Sequence, residues 1–185
     1  MDWLVFRSIN RWAGQSPVLD AVMMALGGWV SLVGPLLFFG FWFMPGPSRP
    51  RRRLAVVLAG IAVLIGLGLT DVPSFVMSRD RPWETHRVTV LVANPPAGAS
   101  FPSQHVAATA AMVAGLGPHL GRWSLVAWLL TVGAALARVF VGVHYPSDVL
   151  VGFLMGWLAG AVVYHNRDVL EPFASRVVSL GEELL

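Results

Sequence analysis

The sequence predicts an all-α fold, a polytopic membrane helix bundle that forms one domain over residues 1–185. Of its 185 residues, 56% are hydrophobic and only 12% are charged, and the mean hydropathy is +0.66. A soluble domain has about 25% charged residues, so the deficit indicates a chain that lies in lipid. Five apolar segments also approach or exceed the roughly 20 residues that a helix needs to cross a bilayer.

The five predicted spans are separated by short breaks and cover residues 18–44, 54–77, 103–120, 124–141 and 147–165. The first is longer than a bilayer requires, so we expect it to tilt or to have an interfacial end. "PGPSRPRRR" (45–53) separates the first span from the second, and "GPHLGR" (117–122) separates the third from the fourth. These proline- and glycine-containing breaks predict where the helices end.

Both ends of the chain are amphipathic rather than uniformly apolar. "DWLVFRSINRW" (2–12) places Trp3 and Phe6 against Arg7 and Arg11. This pattern predicts a short interfacial helix, and a sixth, partly inserted helix is equally compatible with it. The segment after residue 166 is more polar and predicts a surface tail or helix.

The charge composition narrows the classes of partner and site. The chain has no cysteine, which excludes disulfides, zinc–thiolate sites and cysteine nucleophiles. All 13 basic residues are arginines, and the isoelectric point is near 10.5. These arginines are not gathered into one soluble basic face. The sequence therefore predicts anionic lipid headgroups or phosphate as partners, and no nucleic acid.

The arginines also predict an orientation, because short cytoplasmic loops are enriched in basic residues. Four of them lie in the 45–53 loop, which we expect to be cytoplasmic: Arg49, Arg51, Arg52 and Arg53. The 78–102 and 142–146 connections then lie on the outer, periplasmic face. Arg79, Arg81 and Arg87 violate the rule there, which we interpret as arginines that serve a site.

Most of the ionisable residues of the outer face fall at three predicted helix ends. Together with the hydroxyl of Ser103, the set comprises Arg79, Arg81, His86, His105, Arg138, His144 and Asp148. An ionisable group costs about 2.5–3.5 kcal/mol at the centre of a membrane helix and usually faces a cavity. Their convergence from separate segments predicts a polar site at one membrane depth.

The residue types in this set suit phosphoryl transfer. Arginine guanidinium groups bind phosphate oxygens, and "PSQH" (102–105) begins a helix whose free N–H groups favour an anion. Two histidines supply one group to attack phosphorus and one to protonate the leaving oxygen. Asp148, four residues after His144, is placed to accept the His144 ring N–H. A metal fits less well, because the region has many arginines and few carboxylates.

Three blocks in register resemble the signature of the type 2 phosphatidic acid phosphatase (PAP2) superfamily, which shares its site with the vanadium haloperoxidases. They are Arg81-Pro82, then Pro102-Ser103-Gln104-His105, then Arg138-x5-His144-x3-Asp148. The resemblance covers a motif-bearing core of about 54–165. It implies a membrane helix bundle that needs no metal or other cofactor and acts on a lipid phosphate.

The resemblance also implies a role for each matched residue. His144 would be the nucleophile that forms a phosphohistidine, and Asp148 would orient it. His105 would be the general acid for the leaving group and later the base for water. The phosphoryl oxygens would be held by Arg81, Arg138, Ser103 and the backbone N–H of Gln104.

The chain departs from the superfamily pattern at three positions, with Ser74 for lysine, Gln104 for glycine and Ala137 for serine. "SRDRPWETHRVTVLV" followed by "ASFPSQH" is similar to the bacitracin-resistance type of undecaprenyl-pyrophosphate phosphatase. Under the hypothesis that the chain belongs to this subgroup, Arg79 supplies the positive charge that Ser74 lacks. His86 is then a possible substrate contact. The hypothesis implies a multi-pass protein of the bacterial inner membrane that recycles a lipid carrier for cell wall biogenesis.

Two alternatives stay open from the sequence. The same chemistry would serve another lipid phosphate, such as phosphatidylglycerophosphate, phosphatidate or lipid A. A non-catalytic protein that binds or moves phospholipids is a more remote hypothesis.

The role of Asp71, within the second span, also stays open. Asp71 is either a partner for an arginine or a polar group that packs between helices.

Overall fold

The computed structural model describes residues 1–183, except for the side chains of residues 29–33, 35–37, 39 and 118. The regular elements of this part of the chain are helices, as the sequence predicts. They are α1 (Asp2–Asn10), α2 (Pro17–Phe43), α3 (Arg49–Val76), α4 (Pro82–Thr85), α5 (Gln104–Leu116), α6 (Ser124–Phe140), α7 (Pro146–His165) and α8 (Arg167–Glu183). A 3-10 segment, Gly117–Trp123, joins α5 to α6 at the predicted break.

The helix bounds agree with the sequence for three of the five predicted spans and differ for two. The spans 18–44, 124–141 and 147–165 match α2, α6 and α7 to within one residue at each end. The second span was predicted to begin at residue 54, but α3 begins at Arg49. Pro50 lies in its first turn, where a missing N–H costs nothing.

The third predicted span, 103–120, is a shorter helix in the structure. α5 has 13 residues, about 20 Å of helix, which is less than the hydrocarbon thickness of about 30 Å. Within the described residues, three stretches are long and apolar enough to cross a membrane: Arg49–Val76, His119–Phe140 and Pro146–His165. The total of five spans therefore stays a prediction.

The core of the bundle is the packing of α5 between α3 and α7. Gly152, Gly156 and Gly160 recur every fourth residue along one face of α7. A Cβ atom at Gly156 would collide with the carbonyl oxygen of Ala107, and one at Gly152 would collide with the carbonyl oxygen of Ser103. Small residues let membrane helices approach this closely. The glycine face therefore brings the start of α5 against the start of α7.

The C-terminal segment forms a helix, α8, that packs on α3. Arg53 is only 1% exposed, and its guanidinium pairs with Glu182 of α8 and lies 4.9 Å from the ring centroid of Trp42. One of the four arginines that predict a cytoplasmic loop is thus buried inside the protein. Its charge is compensated by Glu182 rather than by lipid headgroups.

The ends of α3 and α6 and the starts of α5 and α7 lie together at one end of the bundle. The 77–103 connection folds over this end, where the N–H of Ser100 donates to the carbonyl of Arg79 at 2.7 Å. Asn10 of α1 fastens the same end, because its Nδ2 donates to the carbonyls of Thr89 and Phe140, both at 2.8 Å. Helix α1 and the connection together cover the polar end of the bundle.

Substitution of Gly156 tests the packing of α5 on α7. We expect Gly156→Ala to lower the free energy of unfolding by about 3 kcal/mol, because the new methyl group meets backbone that cannot move aside cheaply. Thermal unfolding in detergent micelles measures the loss. Gly68→Ala is the matched control, since a Cβ there has nothing within 4 Å. Equal melting temperatures for the two variants would contradict this account of the packing.

Candidate active site

A cavity of about 330 Å³ lies at the polar end of the bundle. Five of the nine candidate site residues line it: Arg81, Gln104, His105, Arg138 and His144. Asp71, Ser74 and Phe75, from the end of α3, line it as well. The three sequence blocks therefore meet around one cavity.

His144 lies in the short connection between α6 and α7 and is only 3% exposed. Its Nδ1 atom is 2.8 Å from the carbonyl oxygen of Ser100. Because a carbonyl can only accept, Nδ1 carries the proton and Nε2 carries the lone pair. Burial, together with the nearby charges of Arg138 and Arg81, lowers the pKa of His144 below its ordinary value of about 6.5. The ring is thus neutral at neutral pH, with the lone pair of Nε2 free of a proton.

The expected hydrogen bond from His144 to Asp148 is not made, which corrects that part of the prediction. The nearer carboxylate oxygen of Asp148 is 3.8 Å from Nδ1, beyond hydrogen-bonding distance. It accepts instead from the Ser100 hydroxyl at 2.5 Å and the Tyr145 N–H at 2.8 Å. Asp148 is therefore joined to His144 by hydrogen bonds through Ser100, a residue that the sequence analysis missed.

The Arg81 guanidinium is held by backbone carbonyls rather than by a carboxylate. It donates to Gly98 at 3.0 Å, to Ala99 at 3.1 Å and to Val143 at 3.0 Å. One of its nitrogens, Nη1, is 3.4 Å from Nε2 of His144. Neutral partners fix the orientation of this side chain without pairing its charge directly, so it can attract an anion beside Nε2 of His144.

Two buried polar atoms beside the cavity have no hydrogen-bond partner within the described part of the chain. They are Nε of Arg138, a residue that lines the cavity, and Oγ of Ser103, which lies between two lining residues, Pro102 and Gln104. Buried polar atoms are nearly always satisfied, so an orphaned donor pair indicates a ligand with acceptor atoms. Ser103 is also the N-cap residue of α5, where free N–H groups favour an anion.

His105 and Gln104 occupy the first turn of α5. His105 lines the same cavity as His144, as the predicted pair of histidines requires. The side chain of Gln104 turns to Asp71, and its Nε2 donates to a carboxylate oxygen of Asp71 at 2.7 Å. Asp71 is thus a hydrogen-bond partner of Gln104 at the edge of the cavity. The alternative that Asp71 pairs with an arginine does not fit this contact.

Arg79 and His86 are placed away from the cavity, and neither is among the described residues that line it. Arg79 donates to Asp148 at 2.8 Å and to Asp2 at 2.6 Å. His86 lies against Trp3, with ring centroids 3.8 Å apart. The expectation that Arg79 takes the place of the family lysine therefore does not fit this geometry.

Ser74, at the position of that lysine, lines the cavity without adding charge. Its hydroxyl donates to the carbonyl of Thr70 at 2.7 Å and is 3.2 Å from the carbonyl of Phe101. Arg81 and Arg138 are then the arginines of the lining. Among the described residues, no three His, Asp or Glu side chains come together as a metal-binding group. The donor set suits a phosphate-type anion better than a cation.

Inorganic phosphate tests the cavity as an anion site. We expect phosphate to bind the purified protein and Arg138→Gln to weaken binding about tenfold or more, since a charge-assisted hydrogen bond is worth about 1.5–3 kcal/mol. Isothermal titration calorimetry measures the dissociation constants. Arg122→Gln is the matched control, because Arg122 lies beside Trp123 in the 3-10 segment, away from the cavity. A similar loss in both variants would argue against a specific site.

Comparisons with known proteins identify the family of the chain. The model of the PAP2 superfamily matches residues 53–171. Undecaprenyl-diphosphatase BcrC of Bacillus subtilis (strain 168) is 28% identical over 188 residues, which cover 100% of this chain and 94% of that protein. Phosphatidylglycerophosphatase B of Haemophilus influenzae is 43% identical over 77 residues, which cover 36% of this chain and 32% of that protein.

The fold has a solved counterpart. The crystal structure of Aquifex aeolicus LpxE superposes with a TM-score of 0.73 at 24% identity, covering 89% of this chain and 94% of that one. The family match covers more than half of the chain and includes each block that lines the cavity. By its fold, its three sequence blocks and this match, the chain belongs to the PAP2 superfamily.

Proposed function

We propose that this PAP2 lipid phosphatase hydrolyses a polyprenyl diphosphate, undecaprenyl diphosphate, to the monophosphate through a phosphohistidine intermediate. The observation that carries the mechanism is the His144 ring, whose Nδ1 is bonded to a backbone carbonyl in a cavity lined by two arginines. The full-length similarity to an undecaprenyl-diphosphatase supports the choice of substrate.

In the first step, Nε2 of His144 attacks the terminal phosphorus of the diphosphate. The bond between that phosphorus and the bridging oxygen breaks, and His105 protonates this oxygen as the lipid monophosphate leaves. Arg81, Arg138 and the hydroxyl of Ser103 hold the phosphoryl oxygens, whose charge they stabilise. The product of this step is a phosphohistidine on His144.

In the second step, water attacks the phosphohistidine. His105, now neutral, accepts a proton from the water as the bond to Nε2 breaks. Inorganic phosphate is released, and His144 returns to the tautomer that Ser100 holds. No step in this scheme requires a metal ion, because the arginines supply the positive charge.

In this proposal, the hydrocarbon chain of the bound lipid extends from the cavity into the bilayer. Phe75 lines the cavity and is 88% exposed, and the neighbouring Val72 and Val76 are 67% and 79% exposed. These apolar side chains at the end of α3 suit contact with a hydrocarbon tail. We place the cavity on the outer face of a bacterial inner membrane, because Arg49, Arg51 and Arg52 lie at the opposite end of α3.

Phosphatidylglycerophosphate is the second candidate substrate. The 43% identity to a phosphatidylglycerophosphatase over 77 residues favours it, and the two substrates share a terminal phosphate on a lipid. The cavity chemistry described above serves both. The difference lies in the leaving group, a polyprenyl phosphate in one case and a glycerophospholipid in the other.

A direct comparison of the two lipids tests the proposal. We expect phosphate release from undecaprenyl diphosphate with a kcat/KM at least about tenfold higher than from phosphatidylglycerophosphate. The His144→Ala variant should release none, since its nucleophile is gone. The opposite preference would identify the second candidate as the substrate. Full turnover by His144→Ala would overturn the phosphohistidine mechanism.

Chelation tests the role of metal ions. We expect phosphate release to continue at an unchanged rate in EDTA, because the charge in the cavity comes from Arg81 and Arg138. The measurement is the initial rate of purified, dialysed protein with and without the chelator. A rate that falls in EDTA and recovers on addition of one divalent cation would contradict the metal-free scheme.

A further inference from the structure

A second set of charged groups lies behind the cavity and begins in α1. The Asp2 carboxylate accepts from the Ser147 N–H at 3.0 Å, from the Ser147 hydroxyl at 2.6 Å and from Arg79 at 2.6 Å. Ser147 is in the first turn of α7, whose N–H groups need external acceptors. Asp2 therefore binds the start of the helix that carries Asp148.

Arg79 connects Asp2 to Asp148. Its Nη2 binds Asp2, while its Nη1 donates to Asp148 at 2.8 Å and to the Ser147 hydroxyl at 2.7 Å. The guanidinium carbon lies 3.9 Å from the ring centroid of Tyr145. A guanidinium with a carboxylate at each end and an aromatic face beneath it has one orientation. The side chains of Asp2 and Arg79 are about one-third exposed, whereas Asp148 is fully buried.

The network reaches the nucleophile through two further links. Asp148 accepts from the hydroxyl of Ser100, and the carbonyl of Ser100 accepts from Nδ1 of His144. The path from α1 to the imidazole is thus Asp2, Arg79, Asp148, Ser100 and His144. Every link is a hydrogen bond or ion pair of 2.5–2.8 Å.

We infer that Asp2 and Arg79 are positioning residues that set the geometry and the charge of the Asp148–Ser100–His144 unit. This inference rests on the proposed phosphohistidine mechanism. The set of Asp2, Arg79, Asp148 and His144 has a net charge of −1 while the imidazole is neutral. It becomes neutral when phosphorylation makes the imidazole cationic, so the network favours the intermediate.

Anchoring of α1 does not depend on Asp2 alone, which separates positioning from folding. Phe6 is fully buried against Val106, Val139, Tyr145 and Val149, and Asn10 bonds two carbonyls at the same end of the bundle. A variant that lacks the Asp2 charge therefore retains the contacts that dock α1. It loses the negative charge and one of the two oxygens that hold Arg79 and Ser147.

Kinetics of two single variants and the double variant test the inference. We expect Asp2→Asn and Arg79→Gln each to lower kcat for undecaprenyl diphosphate about tenfold, with KM within about twofold of wild type, because neither residue lines the cavity. The double variant should be no slower than Arg79→Gln, since both act through one path. Asp168→Asn, at a carboxylate that is 83% exposed in α8, is the matched control.

The pH profile supplies a readout that a purely structural role would leave unchanged. The charged and titratable groups around His144 are Arg81 before α4, His105 in α5, Arg138 in α6, Asp148 in α7 and Asp71 at the edge of the cavity in α3. Removing the negative charge of Asp2 disfavours the imidazolium, so the acid limb of kcat/KM should move to lower pH. Removing the positive charge of Arg79 should move it to higher pH.

Asp2→Glu keeps the charge and should keep the wild-type pH profile at an intermediate kcat. Wild-type kinetics in Asp2→Asn, or a raised KM with a lower melting temperature and an unmoved pH profile, would reject the positioning role. If His144→Ala is inactive in the same assay, such a result rejects the inference alone. Turnover by His144→Ala would instead reject the proposed mechanism.

Discussion

The close approach of α5 and α7 is the constraint on which the rest of the structure depends. At the glycine face of α7 there is no room for a Cβ atom between Gly152 and the backbone of Ser103. The same contact lets the N–H of Ser103 donate to the carbonyl of Asp148 at 3.0 Å. Packing and chemistry therefore meet at one point, because the helix that presents Ser103 and His105 is held against the helix that presents Asp148.

The polar end of the bundle keeps the positive charge of Arg81 apart from the negative charge of Asp148. Arg81 is bonded to three backbone carbonyls, which fix its position without cancelling its charge. The Asp148 carboxylate, which would attract such an arginine, is occupied by Arg79, Ser100 and Tyr145 on the far side of His144. In a site of low dielectric constant, this separation preserves a strong positive field in the cavity.

The sequence predicted the helical class, three of the five long helices to within one residue, and five of the residues that line the cavity, because these follow from local hydrophobic patterns and motif spacing. It did not predict the partner of His144. Asp148 follows His144 by four residues, but its nearer carboxylate oxygen is 3.8 Å from Nδ1 and accepts from Ser100 and Tyr145 instead. Ser100 and Asp2 come from distant segments whose approach depends on the path of the 77–103 connection and of α1. Arg79 follows the end of α3 at Val76, so its direction was not fixed by helical geometry.

The acceptor for the His144 proton is a main-chain carbonyl, so the tautomer of this ring tolerates side-chain substitution at the acceptor residue. No exchange of side chains removes the carbonyl oxygen of Ser100, so the tautomer of the imidazole persists in any variant that keeps the local backbone path. Substitution of Ser100 therefore tests only the role of its hydroxyl. The oxygen that fixes the tautomer can be altered only by replacing the amide itself, as an ester does in a chemically synthesised chain.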